Sequence, residues 1–334
     1  MEKKMQACGI NIGYGYLKIK TKSGYLQVAS VVEKTRKSSM GSVGAMRETL
    51  KVVVDNATYE VGADAHHLSS TQNTSKSVSD AWYDTVQYRA LMQLVIDRLQ
   101  AESETEGDDK WVVTIGIAVN QYMRPAIRKQ LANLWRGEHL SSEGEKIEIK
   151  KVTVVPEPYG AYTYYKDKYA EKTAGRRIMV IDIGYRTTDW VEVVDSKVIE
   201  RQANAINLGM FDVYSEICRN IISDHDANLD IVAVEQAILS EKETRVRGTN
   251  IDMKKYYDNA LKTVGRMIES RIRTEIGAAD QTDLVLVAGG GAKDLIKFVQ
   301  KSFQKHNVEI CENPQEANAH GYFLSAYSMV SMLS

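Results

Sequence analysis

The chain has 334 residues, of which 43% are hydrophobic and 26% charged, enough for two domains with separate cores. A formal net charge of -1 gives it no general attraction to nucleic acid or to an anionic membrane surface. The three cysteines, Cys8, Cys218 and Cys311, lack metal-site spacing, no apolar run approaches the ~20 residues of a membrane span, and MEKKMQACG lacks a secretory core, so a soluble protein of a reducing cytoplasm is expected.

In chain order, the apolar segment Ala7 to Ile12 meets Gly13 and Gly15. Lys18 to Lys22 and Tyr25 to Val32 then alternate as a hairpin through Ser23-Gly24. Asp55-Asn56 marks a second turn, between Val52 to Val54 and Thr58 to Val61. Residues 69–80 are polar and predict an exposed loop. A helix from about Asp84 follows, with Leu91, Leu94, Val95 and Leu99 on one face. After the acidic stretch Glu102 to Asp109, Trp111 to Val119 form a buried strand, and Pro125 opens a helix. Glu138 to Lys151 suggest a charged hairpin, and Val152 to Val155 a short strand before PEPYGA. Ile178 to Ile181, Gly184 and Trp190 to Val194 make a strand, a tight turn and a returning strand. Helices follow around Val213, Ile217 and Ile221 and around Leu261, Val264, Ile268 and Ile272, with Asn228 to Arg247 helical between them. Leu284 to Val287 form a strand ending in Gly289-Gly290-Gly291, ahead of helices from about Lys293 to Gln304 and from about Glu316 onward. Strands alternating with helices make an α/β fold, and two similar strand–turn–strand units hint at an old duplication.

Three turns carry chemistry. In GINIGYGYLK, Gly9 to Lys18, a glycine-bearing turn exposes backbone N–H groups that cradle phosphate oxygens, and Lys18 adds a cation; the same turn is common in plain hairpins. In DIGYRTTDW, Asp182 to Trp190, a carboxylate ends an apolar strand. Asp182 suits Mg²⁺ held through water, Gly184 permits close phosphate approach, and Thr187 and Thr188 offer hydroxyl donors; the bland alternative is an aspartate that caps a turn. In the third, Gly289, Gly290 and Gly291 form a backbone surface between strand and helix, without the GxGxxG spacing of a dinucleotide site.

A phosphate turn, PEPYGA at a helix start, DIGxxTTD and AGGG before a helix, in that order, resemble the actin superfamily over nearly the whole chain. Within it the chain is most similar to ParM-type actin-like proteins that segregate plasmids, and NPQEANAHGYFLSAYS resembles their final helix. The resemblance implies an actin-like two-domain ATPase fold of duplicated ribonuclease H-like domains with an interdomain nucleotide cleft. It places domain I at 1–155 plus 320–334 and domain II at 156–319. It implies ATP or GTP with Mg²⁺ as cofactors.

It assigns Gly13, Tyr14 and Gly15 to the first phosphate loop, with Lys18 reaching the phosphates. Asp182, Gly184, Tyr185, Arg186, Thr187 and Thr188 form the second. Gly209 lies near the ribose, Gly289, Gly290 and Gly291 near adenosine and phosphates, and Glu241 or Lys242 near the base. Glu157 is the hydrolytic residue, orienting an in-line water as a carboxylate can; alternatively it is a helix-start carboxylate favoured by the dipole. The family usually carries Asp where this chain has Asn11, an oxygen without charge, which weakens the hold on Mg²⁺ through Asn11 and Asp182.

The expected activity is ATP hydrolysis coupled to assembly of a self-associating filament, since heterologous contacts that do not close a ring give helices. A DNA-bound adaptor is an implied partner, with no direct nucleic-acid or membrane contact. The rivals are a small-molecule kinase of the same superfamily and a non-hydrolysing nucleotide-dependent scaffold.

Overall fold

A computed structural model of the chain describes residues 5–35, 48–68, 82–103, 110–241 and 243–333. The predicted polar loop 69–80, most of the acidic stretch before Lys110, and Lys242 lie outside the described residues. The chain divides into two units. The first takes the described residues through Lys168 and from Glu316 onward; the second is Tyr169–Gln315.

The first unit is built on a six-stranded sheet in the order Tyr25–Ala29, Tyr16–Thr21, Met5–Ile12, Lys110–Ile117, Lys146–Pro156, Gly137–Leu140. Met5–Ile12 is central, antiparallel to Tyr16–Thr21 and parallel to Lys110–Ile117. Both faces of a strand so placed are covered, which is why it is mostly apolar and buried from Ala7 to Ile12, buried Asn11 excepted. One face packs into a core with Ile10, Leu17, Leu91, Leu99, Trp111 and Trp135. The helix Val86–Ala101 supplies part of that core and is capped by the Thr85 hydroxyl, which accepts from the Tyr88 N–H at 3.2 Å. A three-stranded sheet orders Val32–Lys34, Ala57–Val61 and Leu50–Val54. Its Asp55-Asn56 turn has φ of 50° and 60°, the geometry that a two-residue hairpin loop requires.

The C-terminal helix Ala317–Leu333 lies against Met5–Ile12 and Lys110–Ile117 and crosses the helix Glu157–Lys168. The approach is so close that a Cβ at Gly321 would collide with the Gly160 carbonyl, and one at Gly9 with the Ala319 carbonyl. Asn318 Oδ1 accepts from the Ala161 N–H at 2.9 Å, and the Tyr322 hydroxyl donates to the Glu157 carbonyl at 2.9 Å. This crossing binds Glu157–Lys168 to the first unit. The division therefore falls after Lys168 and before Glu316, rather than at 155 and 320 as the sequence suggested.

The second unit holds a five-stranded sheet in the order Lys197–Ile206, Thr188–Val194, Arg177–Ile183, Leu284–Ala288, Val308–Ile310. The helices Met210–His225, Met253–Ile276 and Ala292–Ser302 contribute Ile217, Ile221, Val264, Ile268, Leu295 and Phe298 to its core. The stretch expected to be helical from Asn228 to Arg247 is a shorter helix, Ile231–Leu239, followed by a hairpin of Thr244–Val246 and Thr249–Ile251. Asp230 caps that helix through the Val232 N–H at 2.8 Å, and Arg247-Gly248 turn the hairpin at φ of 48° and 83°. Among the described residues no helix is long and apolar enough to cross a membrane.

Candidate functional site

In the first unit, residues 11–18 form a strand, a turn and a returning strand. Asn11 is buried and pairs in register with Lys18, so the two side chains share one face of the hairpin. The Gly13 N–H donates to the Tyr16 carbonyl at 3.1 Å and closes the turn. Ser30 braces it from the side: its hydroxyl donates to the Gly13 carbonyl at 2.7 Å and its N–H to the Gly15 carbonyl at 2.8 Å. Tyr14 faces inward against Trp82, with ring centroids 4.9 Å apart, and the Trp82 indole donates to the Ile12 carbonyl at 3.2 Å. The Tyr14 ring is thus an anchor for the turn.

Glu157, in the same unit, is the first residue of its helix, where a carboxylate meets the positive end of the helix dipole. The tyrosines downstream pack the helix: Tyr162, Tyr164 and Tyr165 are buried.

The second unit repeats the turn with different side chains. The Gly184 N–H donates to the Thr187 carbonyl at 2.9 Å. The brace comes from the start of Met210–His225: Met210 N–H donates to the Gly184 carbonyl at 3.2 Å and Phe211 N–H to the Tyr185 carbonyl at 2.7 Å. Gly209 packs on the turn so tightly that a Cβ there would sit 2.6 Å from the Tyr185 carbonyl oxygen, which accounts for its glycine without any ligand. Tyr185 is an anchor, its ring beside Phe211 and Tyr214 and its hydroxyl donating to the buried Glu235 at 3.2 Å.

Asp182 ends the strand Arg177–Ile183 with only 4% of its surface exposed. The triple glycine meets it there. Gly291 N–H donates to the Ile183 carbonyl at 2.9 Å and Gly289 N–H to the Pro314 carbonyl at 2.9 Å. Gly289 has φ of +91°, and a Cβ on it would collide with Asp182 Oδ1 and the Ile183 carbonyl. The structure therefore brings together Asp182, Gly184, Tyr185, Arg186, Thr187, Thr188, Gly209, Gly289 and Gly291 in one unit. Gly290 is exposed beside them, near Gln315.

Both threonine hydroxyls donate within the protein: Thr187 to Asp189 Oδ2 at 2.5 Å and Thr188 to the Leu208 carbonyl at 2.8 Å. Thr187 ends the turn and Thr188 begins a strand buried on both faces; both are buried, where a hydroxyl must find a protein partner. The Ile231–Leu239 helix contacts the turn through Glu235, and Glu241, two residues beyond that helix, is exposed in a turn at φ 51°.

Sequence reasoning missed Asp189. It is buried and pairs in register with Asp182 across the antiparallel strands, so two carboxylates lie on one face. The signal was present as an acid seven residues after Asp182, a spacing that two antiparallel strands around a four-residue turn bring back into register. Among the described residues no three His, Cys, Asp or Glu side chains cluster as a metal cage. A Mg²⁺ here would instead take one or two carboxylates, phosphate oxygens and waters, the usual arrangement at nucleotide sites, and buried Asp182 suits that donor set.

Comparison with known proteins bears on both halves. The family described as actin-like proteins, N-terminal domain, matches residues 9–160, and the C-terminal family of archaeal MreB-like actin homologues matches residues 180–301. No curated protein matches the chain. Among solved structures, a ParM filament from Clostridium botulinum is 20% identical with a TM-score of 0.77, over 97% of this chain and 99% of that one. The archaeal actin homologue Ta0583 is 18% identical with a TM-score of 0.77, over 97% of this chain and 100% of that one. Its complex with ADP gives 16% identity and a TM-score of 0.72 over the same shares.

Proposed function

Since the chain belongs to the actin-like proteins, matched in its N-terminal and C-terminal halves, we propose that it binds Mg-ATP or Mg-GTP and assembles into filaments in a nucleotide-dependent way. The observation that carries the reading is the cradle in the second unit. Buried Asp182 ends a strand beside a closed turn, and Gly289 at φ +91° packs against its Oδ1, with the exposed Gly290 following directly. A carboxylate beside an exposed glycine and a tight turn suits a phosphate with its metal. In the second unit Asp182 is the metal-side carboxylate and the Gly184–Thr187 and Gly289–Gly291 segments take phosphate. In the first unit the Gly13–Gly15 turn with Lys18 is the candidate phosphate contact and Glu157 the candidate for orienting the attacking water. The ADP complex of Ta0583 and the ParM filament support nucleotide binding and self-assembly by analogy of fold.

Asn11 favours one alternative, a nucleotide-dependent scaffold that hydrolyses slowly, because an amide adds no charge to the metal's surroundings. Partition of DNA through an adaptor protein is the proposed cellular use. The test combines sedimentation, electron microscopy and phosphate release with Mg-ATP, Mg-GTP, their diphosphates and no nucleotide. Filaments that depend on the triphosphate, with phosphate release lowered ~100-fold by Glu157→Ala, are expected. Assembly indifferent to nucleotide, or none with any, would contradict the reading. Filaments with phosphate release unchanged in Glu157→Ala would favour the scaffold.

A further inference from the structure

We propose that Tyr322 and Asn318, two residues of the C-terminal helix Ala317–Leu333, are positioning residues that fix Glu157 for the water it orients. The proposal rests on the role of Glu157 in the nucleotide reading above and names what holds that residue in place.

Glu157 has no loop before it. The strand Lys146–Pro156 runs straight into the helix Glu157–Lys168, and the sheet pairs Gly116 with Val155 and Ile117 with Pro156. The strand side of Glu157 is therefore set by the sheet. The helix side is set from outside. In an α-helix each N–H donates to the carbonyl four residues back, so the Ala161 N–H and the Glu157 carbonyl are natural partners in the first turn. Each also has a partner on the C-terminal helix. Asn318 Oδ1 accepts from the Ala161 N–H, and the Tyr322 hydroxyl donates to the Glu157 carbonyl, both at 2.9 Å. Asn318 and Tyr322 stand four residues apart, on one face of their helix, and so hold both ends of one turn.

This clasp is shut off from solvent: Tyr322 and Ala161 are 0% exposed and Asn318 is 2% exposed. The Tyr322 ring lies in a slot left by two absent side chains. A Cβ on Gly116 would collide with its hydroxyl, and one on Gly160 with its ring edge. A phenylalanine would fill the same slot, so packing alone does not call for the hydroxyl. What the hydroxyl adds is the bond to Glu157. A shift of Glu157 away from the C-terminal helix would give up that bond where water cannot replace it, which makes the shift costly. A carboxylate that orients an in-line water must be held to a fraction of an ångström, and a misplacement of about 1 Å can cost ~100-fold in rate. The pair thus acts on the chemical step through the backbone of Glu157, without touching nucleotide.

The experiment is steady-state phosphate release by the full chain across a range of Mg-ATP and of Mg-GTP, with calorimetric titration of ADP and GDP and melting curves alongside. Tyr322→Phe should lower kcat ~10-fold while KM and diphosphate affinity stay within ~2-fold of the parent's. Asn318→Ala, which leaves the ring slot filled, should repeat that split at the other bond. In a Glu157→Ala background Tyr322→Phe should cause no further loss, because the two residues act as one unit. The control is Tyr88→Phe, which removes another buried hydroxyl of the same unit, one that accepts from the Trp135 indole at 3.1 Å. It should lower the melting temperature and leave kcat unchanged. A kcat equal to the parent's in both Tyr322→Phe and Asn318→Ala would overturn the proposal. So would a loss that persists in the Glu157→Ala background, or one matched by Tyr88→Phe, either of which would make the clasp structural only. In each of these cases a ~100-fold loss in Glu157→Ala alone would leave the hydrolytic reading standing. Phosphate release unchanged in Glu157→Ala, or absent from the parent with both triphosphates, would overturn that reading itself, and this proposal with it.

Discussion

Residues 11–16 run Asn-Ile-Gly-Tyr-Gly-Tyr and residues 182–187 run Asp-Ile-Gly-Tyr-Arg-Thr. Both turns close by a glycine N–H donating to the carbonyl three residues on, at 3.1 Å in the first and 2.9 Å in the second. Both use a half-buried tyrosine as an anchor, Tyr14 on Trp82 and Tyr185 beside Phe211 and Tyr214. The backbone is thus the same device used twice, and what differs is charge and bracing. The first turn has an amide and a glycine where the second has a carboxylate and an arginine. A serine after the hairpin steadies the first, whereas a helix start and a triple glycine hold the second. On the proposed reading the shared turn offers backbone to phosphate, and the side chains decide which copy carries the electrostatics.

Exchanging the charged end of each turn should break that comparison most sharply. Asp182→Asn should lower Mg-nucleotide affinity and phosphate release ~100-fold or more, while Asn11→Asp should raise Mg²⁺-dependent phosphate release by a factor of ~3–10, both read by titration and phosphate assay. Equal and small effects in both turns would remove the asymmetry.

Glycine comes next. Gly289→Val places a β-branched residue at φ +91° against Asp182, and should destabilise the second unit by ~3 kcal/mol in denaturant titration. Gly13→Ala meets the Tyr16 carbonyl at 3.2 Å and Asn11 Oδ1 at 3.4 Å, and should change the first unit by less than ~1 kcal/mol. Trp82→Phe removes the indole donor to Ile12 and should loosen the first turn alone by ~1 kcal/mol, visible as faster amide exchange there.

The smallest expected effect is a pH dependence in the first unit. Burial, with Lys20 and Lys168 adding to it against Glu316, holds His320 below its usual value. Tyr25 and Tyr164 also face that ring. A depressed folded value means the stability contribution is complete above about 6.5 and is lost as pH falls through the folded value. His320→Asn should flatten the acid side of the melting profile without altering the second turn.

Much of this was legible in the chain because apolar runs, glycines and acids recur at element ends. The strand before each turn, the triple glycine and the final helix stand out in that way. The edge strand Lys197–Ile206 did not, because exposed Glu200 and half-buried Gln202 break any apolar run. Val308–Ile310 is three residues long and too short to show a period. The unit boundary was misplaced because it depends on Gly160 meeting Gly321, a contact between residues far apart in sequence. Direction was the other blind spot. A threonine in a turn motif looks like a donor for ligand, and only packing reveals that Thr187 and Thr188 point their hydrogen bonds into the protein. Ser30 and Phe211, which brace the turns, carry no motif at all.

A crystal structure of the chain grown with Mg-ADP or Mg-GDP tests the central claim most directly. The account predicts the nucleotide's phosphates at the Gly184–Thr187 turn and the Gly289–Gly291 segment, with the metal on the side of Asp182. Phosphates bound away from both segments, or a cradle still empty at saturating nucleotide, would contradict it.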